Sequence, residues 1–129
     1  MNLLNATVYP SEEKTIWADE AIDPGYEGGA HKYQFKNSLG FDSVEKKAIY
    51  DDSFQHIQFV MKNDDGTMTP GVQSEQLVLA LLDRTEKLNA KFPSEQNRMM
   101  MDGLELFLSA CKNRIDERIS RGVMGELKK

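Results

Sequence analysis

Gly71 to Gly125 reads GVQSEQLVLALLDRTEKLNAKFPSEQNRMMMDGLELFLSACKNRIDERISRGVMG, and this stretch decides the fold. Leu77, Val78, Leu81, Leu82, Thr85 and Leu88 recur at spacings of three and four, which predicts a first helix with one apolar stripe. Met101, Leu104, Leu108, Cys111, Ile115 and Ile119 repeat the pattern and predict a second helix. Phe92-Pro93-Ser94 breaks the two, so the pair reads as an αα-hairpin. Ser74 and Ser94 stand where N-caps are wanted, each followed by a glutamate, and Gly122 falls where a C-terminal glycine ends a helix.

Arg114, Arg118 and Arg121 run beside the second stripe at spacings of four and three, so their guanidinium groups share one helix face. Such a row has two readings. In one, the cations complement the helix dipole and Glu117 pairs with Arg121 on a solvated face. In the other the row is an anion site, because arginine offers a planar fork of donors that matches phosphate oxygens. Periodicity alone does not choose between them.

Outside the hairpin the patterning changes. Met1–Tyr9 reads as a strand, Pro10-Ser11-Glu12-Glu13 as a turn, and Lys14–Ile22 as a strand or irregular edge. Asp23-Pro24-Gly25 and Gly28-Gly29 are breakers, with Tyr26 on a loop between them. His31–Asn37 alternates, with Tyr33 and Phe35 opposed to Lys32, Gln34 and Lys36, as a half-buried strand does. Asn37–Val44, containing Gly40, reads as a loop, and Phe54–Lys62 as a second alternating strand. Asp51-Asp52 and Asp64-Asp65 are expected in turns, and Asn63–Gly66 is itself a turn. The expected class is therefore α+β: a small antiparallel β-sheet lobe over residues 1–70, then an antiparallel helical hairpin over 71–129.

Composition bounds the function. The chain has 129 residues and a formal net charge of -5, which speaks against a general binder of nucleic-acid polymers. The charge is uneven: residues 1–70 carry six lysines against twelve acids, and residues 71–129 carry ten cations against nine acids. Local basic groups suit a small polyanion better than a long duplex. The longest apolar run, Leu77–Leu82, is far short of a membrane span, and no secretory signal is visible, so no membrane partner is expected. The single cysteine, Cys111, sits on an apolar stripe; it fits a reducing cytoplasm and a core role better than a disulfide or a catalytic thiol.

Catalytic signals are missing. His31 and His56 have no partner at metal-ligand spacing, and there is no HExxH, CxxC, GxSxG or P-loop motif. What remains suits binding of a nucleotide, which needs an aromatic plane, amides for base edges and cations for phosphate. Trp17, the only tryptophan, could equally be a core residue of the small lobe, and Asn97 could equally serve the first turn of the second helix.

A resemblance bears on these alternatives. GVxSEQL, LLDRTEKLN, EQN and the ending NRIDERISRGVMG resemble a hairpin domain shared by two phage anti-defence families. These are the Thoeris anti-defence sponges and the anti-CBASS cyclic-nucleotide sponges. RxxxRxxRGVxG is the most specific part, and Gly28–Phe35 with Ile57-Gln58-Phe59 resembles the β-rich half of the Thoeris type.

The resemblance implies a non-enzymatic protein with no cofactor or metal, assembled as a homo-oligomer, by family a hexamer. It would hold cyclic ADP-ribose-type signals, or cyclic di- and trinucleotides, in the host cytoplasm. It implies ligand contacts from Arg114, Arg118, Asn97 and Trp17, with His31 and Lys32 in the matching β-rich segment. At the end of the first helix the family often has an aromatic residue where this chain has Leu88, which puts stacking from that helix in question. An enzyme that cleaves such a signal, or a structural phage protein, are the competing expectations.

Overall fold

The computed structural model describes residues 2–4, 15–18 and 31–122. The Pro10–Glu13 turn, the Asp23–Gly25 and Gly28-Gly29 breakers, Tyr26 and Val123–Gly125 lie outside them. The fold is α+β, and the chain forms two compact units, Met1–Gly71 and Val72–Lys129.

In the first unit a four-stranded antiparallel sheet has the order β1 (Asn2–Leu3), β2 (Ile16–Ala18), β3 (Lys32–Asp42), β4 (Lys47–Gln58). Of the two early strands expected, Asn2–Leu3 and Ile16–Ala18 are the described parts. The register sets the two faces. Ile16 faces Phe35, Ala18 faces Tyr33, and Tyr33 faces Ile57, so these apolar residues share one side of the sheet. Ala18 is buried there, and the Tyr33 ring meets Phe59 edge-on at 5.5 Å.

Asn37–Val44 is not a loop. β3 continues to Asp42, and β4 begins at Lys47 rather than Phe54 and ends at Gln58. Gly40, read as a breaker, instead allows a bulge: it adopts φ +141, and the register shifts on either side of Ser38. Asp51-Asp52 likewise lies within β4 and not in a turn. Lys36 faces Phe54 while Ser38 faces Tyr50, so the chain from Asp51 to Ser53 bulges. The Asp51 carboxylate accepts hydrogen bonds from the Ser53 hydroxyl and N–H, and these bonds hold its pKa below the usual carboxylate value. Asp64-Asp65 does lie in a turn, where Gly66 takes φ +88. That turn joins two short strands, β5 (Met61–Lys62) and β6 (Met68–Thr69), which form a separate ribbon.

The second unit is the helical pair α1 (Ser74–Lys91) and α2 (Glu95–Arg121). Ser94 caps α2, its hydroxyl accepting from the Asn97 N–H at 3.0 Å. Gly122 closes that helix in the left-handed conformation at φ 70. At the start of α1 the cap is Gln73, not Ser74. The Gln76 side chain reaches back to the Gln73 N–H at 2.7 Å, so Ser74 is the first helical residue.

The inner faces also differ from the expected stripes. Along α1 the less exposed positions include Glu75, Val78, Leu82, Thr85 and Asn89, while Leu81 and Leu88 are exposed. Along α2 they are Asn97, Met101, Leu104, Leu108, Cys111, Ile115 and Arg118, while Ile119 is exposed. These spacings alternate three and four without interruption, which is the 3.5-residue period of a two-helix seam. Leu81 and Leu88 of α1 and Ile119 of α2, expected on the stripes, lie off that seam.

Two glycine- and cap-dependent outcomes follow. A Cβ on Gly71 would stand 2.5 Å from the Val60 nitrogen and 2.6 Å from the Gln58 carbonyl oxygen, and would also strike the Phe59 carbonyl carbon. Gly71→Ala should therefore lower the melting temperature markedly, because backbone must shift. Ser94→Ala should cost about 1 kcal/mol, the usual worth of an N-cap. Thermal unfolding followed by circular dichroism checks both.

Candidate ligand-binding site

α2 is 27 residues long and α1 is 18. Because the loop holds their adjoining ends together, the last nine or so residues of α2 run about 13 Å past the start of α1. Cys111 marks the limit of overlap: it is buried, and Glu75 in the first turn of α1 is near enough to influence its thiol. Burial, seconded by that carboxylate, pushes the thiol pKa up, against the pull of the Arg114 charge.

Arg114, Arg118 and Arg121 all lie on the overhang, and they differ. Arg121 is occupied: its Nε donates to Glu117 Oε1 at 3.1 Å. Neither Arg114 nor Arg118 makes an ion pair with a described residue. The next acid toward the loop, Asp116, is held by Lys112 at 2.7 Å. The pairing with Glu117 expected on a solvated face thus holds for Arg121, while the donor forks of Arg114 and Arg118, one turn apart, meet no carboxylate among the described residues.

Leu88 and Asn97 sit at the opposite end of the hairpin. Asn97 is buried, and its Nδ2 donates to the Phe92 carbonyl at 3.0 Å. Asn89 joins the same closure, its Oδ1 accepting from the Ser94 N–H at 3.1 Å. Asn97 therefore has a structural task, with its Oδ1 and the second Nδ2 hydrogen left for another partner. Leu88 is exposed on α1. Asn97 and Arg114 are seventeen positions apart on one helix, about 25 Å along its axis. No single small ligand bridges that distance within one chain.

Trp17, His31 and Lys32 belong to the first unit. Trp17 is half-buried, its ring meeting Phe54 edge-on at 5.7 Å and 71°, as a residue packed in the small lobe would. Yet it rises from the polar side of the sheet. Its cross-strand row is Trp17, Gln34 and His56, flanked on the same face by Lys32 and Lys36. Lys32 is exposed at the start of β3. The His31 carbonyl accepts from the Phe59 N–H at 2.7 Å and the Gln58 amide at 3.3 Å. Gln34 and His56 were not singled out beside Trp17 from the sequence, because only the strand register aligns them.

Among the described residues no three histidine, cysteine or acidic side chains gather to hold a metal ion, and no helix is long and apolar enough to cross a membrane. No protein-family model matches the chain, and no curated protein matches it in sequence.

The roles of the two ends of α2 separate by mutation. Asn97→Ala removes a buried amide and leaves the Phe92 carbonyl without its donor, so it should cost about 1–3 kcal/mol of stability. Arg114→Ala and Arg118→Ala should leave the melting temperature within a few degrees of the parent, since helix-end charges contribute only about 0.3–1 kcal/mol. Melting curves of the three variants decide.

Proposed function

We propose that the chain is a phage anti-defence protein that binds cyclic nucleotide immune signals in the host cytoplasm and withholds them, chemically unchanged, from their effector. Its ligand class is the cyclic ADP-ribose isomers, with cyclic di- and trinucleotides as the wider class. The observation that carries this reading is the pair Arg114 and Arg118, one helical turn apart and without a carboxylate partner among the described residues, while Arg121 has one. Two planar forks from one side match adjacent phosphates better than they match solvent. The resemblance of RxxxRxxRGVxG to the sponge families points to the same groups.

Sequestration needs no proton transfer. It needs tight binding and slow release, so the protein acts stoichiometrically. The 25 Å gap between Asn97 and Arg114 means that a site using both draws them from two copies. Antiparallel pairing of two α2 helices about Phe107 would set Asn97 of one copy beside residues 114–118 of the other. It would also lay the acidic first turn of one helix, with Glu95, toward the basic last turns of the next, where charges and helix dipoles agree.

The face that such pairing uses is Met100, Gly103, Phe107, Ala110 and Arg114, again at alternating three and four. Phe107 is 44% exposed on it, and a Cβ on Gly103 would meet nothing within 4 Å. Glycine inside a helix costs roughly 0.5–1 kcal/mol relative to alanine, and nothing among the described residues comes close enough to require it here. Close approach of a second helix supplies a reason.

Binding is tested by calorimetric titration with cyclic ADP-ribose isomers and cyclic trinucleotides. Charge-assisted hydrogen bonds contribute roughly 1.5–3 kcal/mol each. Arg114→Ala or Arg118→Ala should therefore weaken binding about ten- to a hundred-fold. Arg121→Ala should matter less, and Arg114→Lys should restore only part of the loss. Parent-like affinity in both alanine variants would reduce the row to a solvated face. For assembly, Phe107→Glu should give smaller species in light scattering. Gly103→Ala should stabilise the isolated chain yet weaken association, and an unchanged mass in both would mean the wrong face.

A further inference from the structure

Aspartate precedes glycine at two places in this chain, Asp65-Gly66 and Asp102-Gly103, and all four residues are exposed. The main-chain nitrogen after an aspartate can close a five-membered ring on its carboxyl carbon, and a glycine puts no side chain in the way. The backbone around the two pairs differs. Gly103 lies inside α2, where its N–H belongs to the helical ladder and helical turns flank it on both sides. Gly66 lies in the turn between β5 and β6, where its N–H donates to the Asn63 carbonyl at 3.0 Å. Freeing that N–H opens only a ribbon of two two-residue strands, and such ribbons are marginal in water. A Cβ placed on Gly66 would meet nothing within 4 Å, so no neighbouring atoms crowd the ring.

The Asp65 carboxylate has partners in this turn. Its Oδ1 accepts from the Thr67 N–H at 2.9 Å and from the Thr67 hydroxyl at 2.6 Å. Asn63 Nδ2 donates to that hydroxyl at 3.0 Å, and Thr69 Oγ1 donates to Asn63 Oδ1 at 3.2 Å. These bonds favour the ionised form, and the Thr67 hydroxyl foremost holds the Asp65 pKa below the usual carboxylate value. An ionised carboxylate resists ring closure, because its oxygen must depart as water. The turn therefore restrains the reaction at the carboxyl while it holds the nitrogen lightly.

We infer that Asp65 is a site of spontaneous covalent modification: it isomerises to β-aspartate through a succinimide formed with the Gly66 nitrogen, and the Thr67 hydroxyl sets the pace. The Gly66 nitrogen bonds to Asp65 Cγ as its proton and the carboxyl hydroxyl leave together as water. A second water reopens the ring. Attack at Cγ restores aspartate. Attack at the Asp65 main-chain carbonyl carbon sends the chain through Cβ and Cγ and leaves that carbon as the free carboxylate. Nothing is oxidised or reduced, and mass and formal charge return to their starting values. The β-linkage adds an atom to the backbone of the turn and moves the carboxylate away from Thr67. The pairing of Met61 with Thr69 and of Lys62 with Met68 then loosens.

The test stores the full chain at neutral pH, natively and in urea, and maps its peptides by electron-transfer fragmentation, which tells β-aspartate from aspartate at equal mass. In the native chain β-aspartate should accumulate at Asp65 and stay absent at Asp102. In urea both pairs should convert at similar rates, because the fold and not the dipeptide separates them. Thr67→Val should speed native conversion at Asp65 several-fold, and Thr67→Ser, which keeps the hydroxyl, should stay near the parent rate. Melting curves check that both variants fold, and conversion at Asp102 reports unfolding in the same sample.

An Asp65 that stays unconverted in the native chain while converting in urea overturns the site, and so does equal native conversion at Asp65 and Asp102. A parent-like rate in folded Thr67→Val overturns the role given to the hydroxyl. The parent's two maps decide the site whether or not Thr67→Val folds.

Discussion

The seam between α1 and α2 is the constraint on which the rest of the second unit depends. It runs from Asn97, beside the loop, to Cys111, beside Glu75 at the start of α1. Because its positions alternate three and four, the two helices stay in contact over the whole of α1. Because α2 is nine residues longer, the seam positions Ile115 and Arg118 continue where α1 no longer runs. That overhang sets the arginines apart from their own hairpin. There Arg121 pairs with Glu117, while Arg114 and Arg118 make no ion pair with a described residue.

The helical half was legible because helix punctuation is local. Phe92-Pro93-Ser94, the Ser94 cap and Gly122 each act through the backbone within a few residues, and each appears where the sequence places it. The seam was less legible. Apolar character alone does not fix the facing side: Leu81, Leu88 and Ile119 are exposed, while Glu75, Asn89 and Arg118 occupy less exposed seam positions. The β half suffered most because its punctuation is not local. Gly40 and the Asp51–Ser53 segment look like turns, but cross-strand pairing turns them into bulges within a long ribbon. Within the bulge the Asp51 carboxylate accepts an Asx-type hydrogen bond from the Ser53 N–H.

The candidate site was legible as a list of residue types and illegible as a place. Spacing groups Arg114, Arg118 and Arg121, the resemblance implies ligand contacts for the first two, and in the structure Arg121 is paired with Glu117. Asn97 shows the opposite case. Its side chain holds the Phe92 carbonyl, a contact that spacing does not reveal. Trp17 stands between the two: edge-packed on Phe54, yet aligned with Gln34 and His56 on the polar side of the sheet. Distance then does what composition does not. The length of α2 separates Asn97 from Arg114 and makes association between copies part of the binding account.

The central claim is that the protein holds a cyclic nucleotide without altering it. The most direct measurement is mass spectrometry of small molecules released by heat from protein expressed beside an active cyclic ADP-ribose-producing TIR enzyme or a cyclic-oligonucleotide cyclase. The account predicts an intact cyclic nucleotide, recovered from the parent and lost or sharply reduced when Arg114 and Arg118 are both alanine. Recovery of a linearised or hydrolysed product, or of no nucleotide from the parent under either condition, would contradict it.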